Sequence, residues 1–211
     1  MTVVIALKDK NSIWLGADRM LSGEILKGLS ETPKFAKKPF TIYTPKKTPD
    51  NDGHTNILHE NEETNYMIIA FAGDVGIFNH IVNGFKLPDK IKDDEFLTYL
   101  HLDFIPELQD YLRTFNLILR NNDGEDILTH LLIIYNNEIY TLFENLTYST
   151  FDEKYKVIGG AQSIALGSLY TSVGDDPDYR IRLAINACAH HTHIVSEEMD
   201  IIEITEEDYV Q

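Results

Sequence analysis

The chain has little cysteine and little positive charge, and each shortage excludes a class of protein. Its single cysteine, Cys188, provides no disulfide framework and no cysteine metal site. Eighteen basic residues stand against 34 acidic ones, giving a net charge of −16. A nucleic-acid-binding protein needs a basic footprint, so we expect no nucleic-acid partner.

Long apolar runs are also missing. No run approaches the roughly 20 residues that a membrane helix requires. The run 3–7 near the chain start is too short for the core of a signal peptide, and no basic residue precedes it. We therefore expect a cytoplasmic protein without a membrane partner. A length of 211 residues predicts a single domain over residues 1–211.

Short apolar segments do occur, and they alternate between strand and helix patterns. Strand runs followed by helix pairs favour two packed sheets with helices on both outer faces. Pro106 is expected to kink or split the longest helical pattern. The predicted strands are 3–7, 12–18, 66–72, 130–135, 138–143, 155–158 and 199–204, and the predicted helices are 75–85, 93–115, 160–170 and 177–193.

Residues 46–65 are rich in Lys, Asn, Asp, Glu, Gly and Pro. This composition predicts a surface insertion, as a loop or as a long hairpin. A solvated insertion is the simpler interpretation, and a lid or a partner-docking element is the alternative.

Thr2 is the candidate nucleophile. If Met1 is removed, Thr2 carries a hydroxyl and a free α-amine on one residue, and such an amine can accept the hydroxyl proton near neutral pH. The small side chain after Met1 favours that removal. If Met1 stays, the amine becomes an amide and the base is lost.

Asp18 and Lys34 would complete such a site. An ammonium near the hydroxyl favours its deprotonated form, and a carboxylate can orient the ammonium. Taken alone, each of the two is more simply explained as a solvated or ion-paired surface group. Asp18 and Lys34 indicate a catalytic site only when they are considered together with Thr2.

These residues resemble the proteasome β-subunit family, which includes the HslV-type peptidases. The resemblance rests on Thr2 opening an apolar strand, the step Gly16-Ala17-Asp18-Arg19, Lys34, and the step Ala72-Gly73 after YMIIAF. Asp18 and Lys34 follow Thr2 by 16 and 32 residues, as the family's catalytic aspartate and lysine do. The implied fold is the α+β four-layer αββα sandwich of N-terminal-nucleophile hydrolases.

The resemblance also implies roles. Thr2 would be nucleophile and base, Lys34 would lower the pKa of its hydroxyl, and Asp18 would orient Lys34. The backbone N–H of Gly73 would form the oxyanion hole, and the main chain of Ser22 would pair with an extended substrate. Four mainly apolar positions match the specificity pocket and imply cleavage after apolar residues: Leu21, Thr32, Phe71 and Val75.

The chain departs from the family at three places. Where the family often has a Gly-Ser-Gly step, this chain has Gly159-Gly160-Ala161, so a glycine replaces the serine. An aspartate and a serine near the threonine amine correspond to Thr192 and Val195. The insertion at 46–65 lengthens the segment between Lys34 and Gly73 and is expected beside the active-site entrance.

The sequence therefore predicts a threonine-type endopeptidase subunit of a self-compartmentalising ring protease. The implied partners are an unfolded polypeptide substrate, further copies of the chain in a homo-oligomeric ring, and an ATP-dependent unfoldase. The alternatives are a catalytically silent ring subunit and an amidase acting on a small molecule. No cofactor or metal is expected, because the histidines at 190, 191 and 193 cannot easily converge on one ion from a helix.

Overall fold

The computed structural model describes residues 2–22, 27–49, 55–121, 124–149 and 154–210. The strands are β1 (Val4–Asp9), β2 (Ser12–Asp18), β3 (Met20–Ser22), β4 (Lys27–Leu29), β5 (Phe35–Pro49), β6 (Thr55–Gly73), β7 (Lys90–Ile91), β8 (Leu119–Asn121), β9 (Gly124–Asp126), β10 (Thr129–Tyr135), β11 (Glu138–Leu142), β12 (Tyr148–Ser149), β13 (Tyr155–Ile158) and β14 (Met199–Ile204). The helices are α1 (Val75–Asn83), α2 (Phe96–Tyr99), α3 (Ile105–Thr114), α4 (Gln162–Thr171) and α5 (Pro177–His191).

Two sheets carry most of these strands. Within the described residues, a four-stranded sheet has the order β13-β1-β2-β14, and a six-stranded sheet has the order β12-β11-β10-β6-β5-β7. Neighbouring strands are antiparallel except for β5 and β7, which are parallel. Two small hairpins, β3–β4 and β8–β9, stand outside both sheets.

Alternating side chains place the strands in layers. In β1, Val4 and Ala6 pack against the six-stranded sheet, whereas Ile5 and Leu7 pack against α4 and α5. In β6, Ile69 faces α1 and α3 on the opposite side of the molecule. Successive side chains of a strand point to opposite faces, so each sheet is buried on both sides. The four-layer αββα sandwich implied by the sequence is confirmed.

The helical pattern over residues 93–115 is divided in the structure. A π-helical turn, Leu100–Phe104, separates α2 from α3, and Pro106 stands in the first turn of α3. Proline has no N–H to donate to the preceding turn, so the chain accommodates it just after the wider turn. Along the part of the chain that the structure describes, no helix combines the length and apolar character needed to cross a membrane.

Within the segment 46–65, the described residues belong to two long antiparallel strands, β5 and β6. β5 and β6 pair from Phe35 and Ala70 out to Pro49 and Thr55. Residues 50–54, which connect them, lie outside the described residues.

The expected position of this insertion is wrong. Lys34 and Gly73 lie at one end of the hairpin, and the 15 residues of β5 carry the chain roughly 45 Å away from them. The described parts of the insertion therefore extend from the end of the sheet opposite the candidate site.

Candidate active site

Three polar side chains converge at the start of β1. Thr2, Asp18 and Lys34 are 3%, 1% and 2% exposed, so all three are held away from solvent. The Thr2 hydroxyl donates to Asp18 Oδ1 and accepts from Lys34 Nζ. Lys34 Nζ also lies 3.0 Å from Asp18 Oδ1. The residues that the sequence placed 16 and 32 positions apart thus form one hydrogen-bonded triad.

Backbone donors hold the Asp18 carboxylate in place. Its Oδ1 accepts from Val3 N at 2.9 Å, and its Oδ2 accepts from Met20 N at 2.9 Å and from Ser196 N at 3.3 Å. These donors come from three different parts of the chain. The carboxylate therefore has one orientation, set by the four-stranded sheet and the segment that follows α5.

Burial lowers the pKa of Lys34 below its ordinary value, and the adjacent Asp18 carboxylate offsets part of that effect. The ammonium also donates to Met20 O at 2.7 Å. With Asp18, Met20 and Thr2 as its partners, Nζ is directed at the threonine oxygen. A lysine with a lowered pKa can exchange a proton with a neighbouring group more readily than an ordinary surface lysine.

Gly73 ends β6 in a backbone conformation that only glycine adopts easily, with φ of +144°. A Cβ here would lie 2.2 Å from Leu128 O and 2.6 Å from Thr129 Cα. The next residue, Asp74, caps α1 by accepting from Ile77 N at 3.1 Å. Gly73 thus joins the sheet end to the N-terminus of a helix, beside the triad.

A small cavity of about 20 Å³ adjoins Thr2. Its lining consists of Thr2, Met20, Leu21, Lys34, Phe71, Gly73 and Val75. Three of the four predicted pocket positions therefore meet beside the candidate nucleophile. The fourth, Thr32, is exposed and is not part of this lining; its hydroxyl lies 3.4 Å from that of Ser30.

Ser22 is the last residue of β3 and pairs with Lys27 of β4. The same short hairpin carries Met20 and Leu21, both of which line the cavity. The predicted substrate-pairing segment is thus part of a strand next to the triad.

The predicted positions of Thr192 and Val195 require a correction. Val195 packs in the apolar cluster beneath α4 and α5, and the Thr192 hydroxyl donates to Cys188 O at the end of α5. Ser196, one position further on, is the residue that reaches Asp18. Its hydroxyl accepts from Arg19 N at 3.2 Å and donates to Glu198 O at 2.9 Å.

Gly159 is a second residue that sequence reasoning missed. It has φ of +108°, and a Cβ there would lie 2.1 Å from Thr2 O. The backbone after β13 therefore runs directly against the carbonyl of the candidate nucleophile. The paired glycines at 159 and 160 were the available signal, since glycine permits such close approach.

His190 and His191 end α5 and His193 follows it, and the three do not form a metal site. His190 and His191 are exposed, and their ring centroids are 4.8 Å apart in an edge-on arrangement. Across the residues that the structure describes, no group of three His, Cys, Asp or Glu side chains is placed to hold a metal ion.

Comparison with solved structures identifies proteins of the same fold. BPH from Thiobacillus denitrificans, in complex with epoxomicin, superimposes with a TM-score of 0.68 at 15% identity, covering 96% of this chain and 98% of that one. BPH from the same organism, in another structure, gives 0.68 at 16% identity, over 96% and 97% of the two chains. Eukaryotic HslV from Trypanosoma brucei gives 0.57 at 14% identity, over 97% and 99%.

No family model matches the sequence, and no curated protein matches it significantly. The similarity is therefore one of fold, over nearly the whole length of each chain. The fold is that of the HslV-like proteins, as the sequence resemblance implied.

Proposed function

We propose that this chain is a threonine-type endopeptidase subunit, with Thr2 as its nucleophile after removal of Met1. The observation that carries the proposal is the buried triad, in which the Thr2 hydroxyl lies between Lys34 Nζ and Asp18 Oδ1. A hydroxyl in this setting has both a cation to stabilise its anion and a carboxylate to fix that cation.

The reaction is acyl transfer. The α-amine of Thr2 takes the hydroxyl proton, and Oγ1 attacks the substrate carbonyl. The backbone N–H of Gly73 is the donor for the resulting oxyanion. The amine then protonates the leaving nitrogen as the C–N bond breaks, leaving an ester on Thr2. Water hydrolyses that ester and regenerates the hydroxyl.

The apolar lining by Leu21, Phe71 and Val75 supports cleavage after apolar residues. By analogy with the fold neighbours, we propose that copies of the chain form a ring whose inner surface carries the sites. An unfolded polypeptide, delivered by an ATP-dependent unfoldase, is the substrate that such an enclosed site would accept.

Intact mass and peptide hydrolysis together test the proposal. The active preparation should be one methionine lighter than the printed sequence, and it should hydrolyse fluorogenic peptides with an apolar residue before the scissile bond. Thr2→Ala should abolish hydrolysis, whereas Thr64→Ala, an exposed threonine on β6, should retain it. Full activity in Thr2→Ala would refute the assignment.

Epoxomicin provides a second probe, because one of the fold neighbours was solved in complex with it. We expect epoxomicin to block peptide hydrolysis and to add its mass to the wild-type chain. The Thr2→Ala chain should gain no mass. Addition to Thr2→Ala at the same rate would place the reactive group elsewhere.

A catalytically silent ring subunit is the second candidate. One observation favours it: the cavity beside Thr2 holds only about 20 Å³. A mature N-terminus at Thr2 with no hydrolysis of peptides and no reaction with epoxomicin would select this candidate.

A further inference from the structure

The outer part of the β5–β6 hairpin forms a two-stranded ribbon, residues 44–49 paired with 55–60. β7 covers the β5 edge only at Ile42 and Tyr43. On the other edge, the last bridge from β6 joins Asn65 to Val210. Among the described residues, no strand pairs with either edge of the ribbon. It projects roughly 20 Å beyond the sheet.

An isolated two-stranded hairpin is marginally stable in water. The β5 arm of the ribbon reads Thr-Pro-Lys-Lys-Thr-Pro and contributes no large apolar residue, so the apolar residues of the ribbon are Ile57 and Leu58 of the β6 arm together with the two prolines. A second surface packed against the ribbon would therefore stabilise it.

The two edges of the ribbon carry opposite charge. The β5 arm, residues 44–49, contains Lys46 and Lys47 and no acidic residue. The β6 arm, residues 55–60, contains Glu60 and no lysine or arginine. Glu62 and Glu63 follow just inside the ribbon, and Glu63 forms an ion pair with Lys92. Lys46 and Glu60 are both exposed and form an ion pair across the ribbon.

This charge pattern determines which contacts between two copies are favourable. Pairing β5 edges, or β6 edges, would place like charges together. Pairing the β5 edge of one copy with the β6 edge of the next places lysines beside glutamates. Such a head-to-tail contact is heterologous, and repeated contacts of this kind close into a ring or continue as a filament.

Pro45 and Pro49 restrict the kind of contact. Proline has no N–H, so the β5 arm lacks two backbone donors that a full ladder between copies would use. Side-chain charge must therefore supply most of the recognition, and the contact should weaken as salt is added.

We propose that the ribbon is a docking element between copies of this chain, in which the Lys46 edge of one copy lies against the Glu60 edge of the next. The proposal rests on the proposed function only for closure into a ring, since contact between copies needs no catalysis. Under this proposal, the insertion functions in assembly, at the end of the molecule opposite Thr2.

Charge reversal tests the contact in the full-length protein, with oligomeric state measured by native mass spectrometry and light scattering. Lys46→Glu and Glu60→Lys should each raise the concentration for half-assembly by roughly tenfold, because repulsion replaces attraction at an exposed pair. Raising the salt concentration should reduce this difference.

Mixing the two single variants separates contact between copies from contact within one ribbon. In an equimolar mixture, every ribbon still lacks its internal Lys46–Glu60 pair, yet each altered edge meets a complementary edge on the other variant. Assembly should return to the wild-type concentration range in the mixture. Assembly that stays impaired in the mixture would overturn the proposal.

Lys8→Glu is the matched control, because Lys8 forms a similar exposed ion pair with Glu138, 2.6 Å away and outside the ribbon. It should leave the oligomeric state unchanged. An unchanged state in Lys46→Glu and Glu60→Lys would also overturn the proposal and leave the ribbon a solvated hairpin. Peptide hydrolysis, measured separately, decides the proposed function whatever the assembly result.

Discussion

Two buried lysines lie four residues apart, Lys34 just before β5 and Lys38 within it. Both are nearly inaccessible, and burial lowers the pKa of both. Lys34 donates to a hydroxyl, a carboxylate and one carbonyl. Lys38 donates to three carbonyls at the end of α1: those of Ile81, Val82 and Phe85, at 2.9, 2.8 and 2.6 Å.

The difference shows that burial of a lysine is not by itself a sign of chemistry. The carbonyls of Ile81 and Val82 belong to the last turn of α1, where carbonyls have no intrahelical partner, and that of Phe85 lies just beyond the helix. The Lys38 cation also interacts favourably with the negative end of the helix dipole. Lys34 instead contacts a group that can lose a proton. What a buried ammonium touches separates a candidate catalytic lysine from a structural one.

The largest expected effect is on catalysis. Lys34→Met should lower kcat/KM for peptide hydrolysis about 10³-fold, within the range for loss of a group acting in proton transfer or charge stabilisation. Lys38→Met should stay within tenfold of wild type, because Lys38 touches no member of the triad. Fluorogenic peptide assays on the folded variants measure both, and equal losses would erase the distinction.

Asp18→Asn should reduce kcat/KM about 10²-fold. The Asp18 charge raises the pKa of Lys34 against the effect of burial, so its removal should lower that pKa further. The basic limb of the pH–rate profile should therefore move to lower pH. Asp200→Asn, which alters the ion pair with Arg19, is the matched control and should leave the limb in place.

Lys38→Met should cost about 2–3 kcal/mol in the free energy of unfolding, since it removes the donor shared by three carbonyls at the end of α1. Lys8→Met should cost less than about 1 kcal/mol, because it breaks an exposed ion pair. Urea denaturation compares them. A similar cost for both would contradict the structural role of Lys38.

The smallest effect concerns pH. Burial lowers the pKa of Lys38 from its ordinary value of 10.5. Between the lowered pKa of the folded chain and 10.5, the unfolded chain therefore binds more protons than the folded one. Stability attributable to Lys38 therefore increases as pH rises toward 10.5. Wild type should therefore gain stability relative to Lys38→Met as the pH rises through that window. Parallel stability curves for the two proteins would contradict the shift.

Features fixed by local chemistry could be predicted from the sequence. Asp176 caps α5 and Pro177 begins it, as expected. Asn136 and Asn137 form the β10–β11 turn with φ of 50° and 59°, a conformation that asparagine tolerates. Met199–Ile204 is a strand with the predicted bounds.

Features set by contacts between distant segments could not be predicted in the same way. Ser196 lies in an irregular segment after α5, where no periodicity fixes its register, and the prediction there was one residue off. The close approach of Gly159 to the Thr2 carbonyl depends on how β13 meets β1. The hairpin at 46–65 has the polar composition of a loop, and its projection away from the site follows from the strand register alone.

The hydrogen bond from Ser196 N to Asp18 Oδ2 has a consequence for the timing of synthesis. Thr2, Asp18 and Lys34 leave the ribosome early, but their carboxylate receives its last backbone donor almost 180 residues after it is made. β14, which borders β2, is later still. A nascent chain therefore has all three triad residues long before it has the last backbone donor that orients the Asp18 carboxylate.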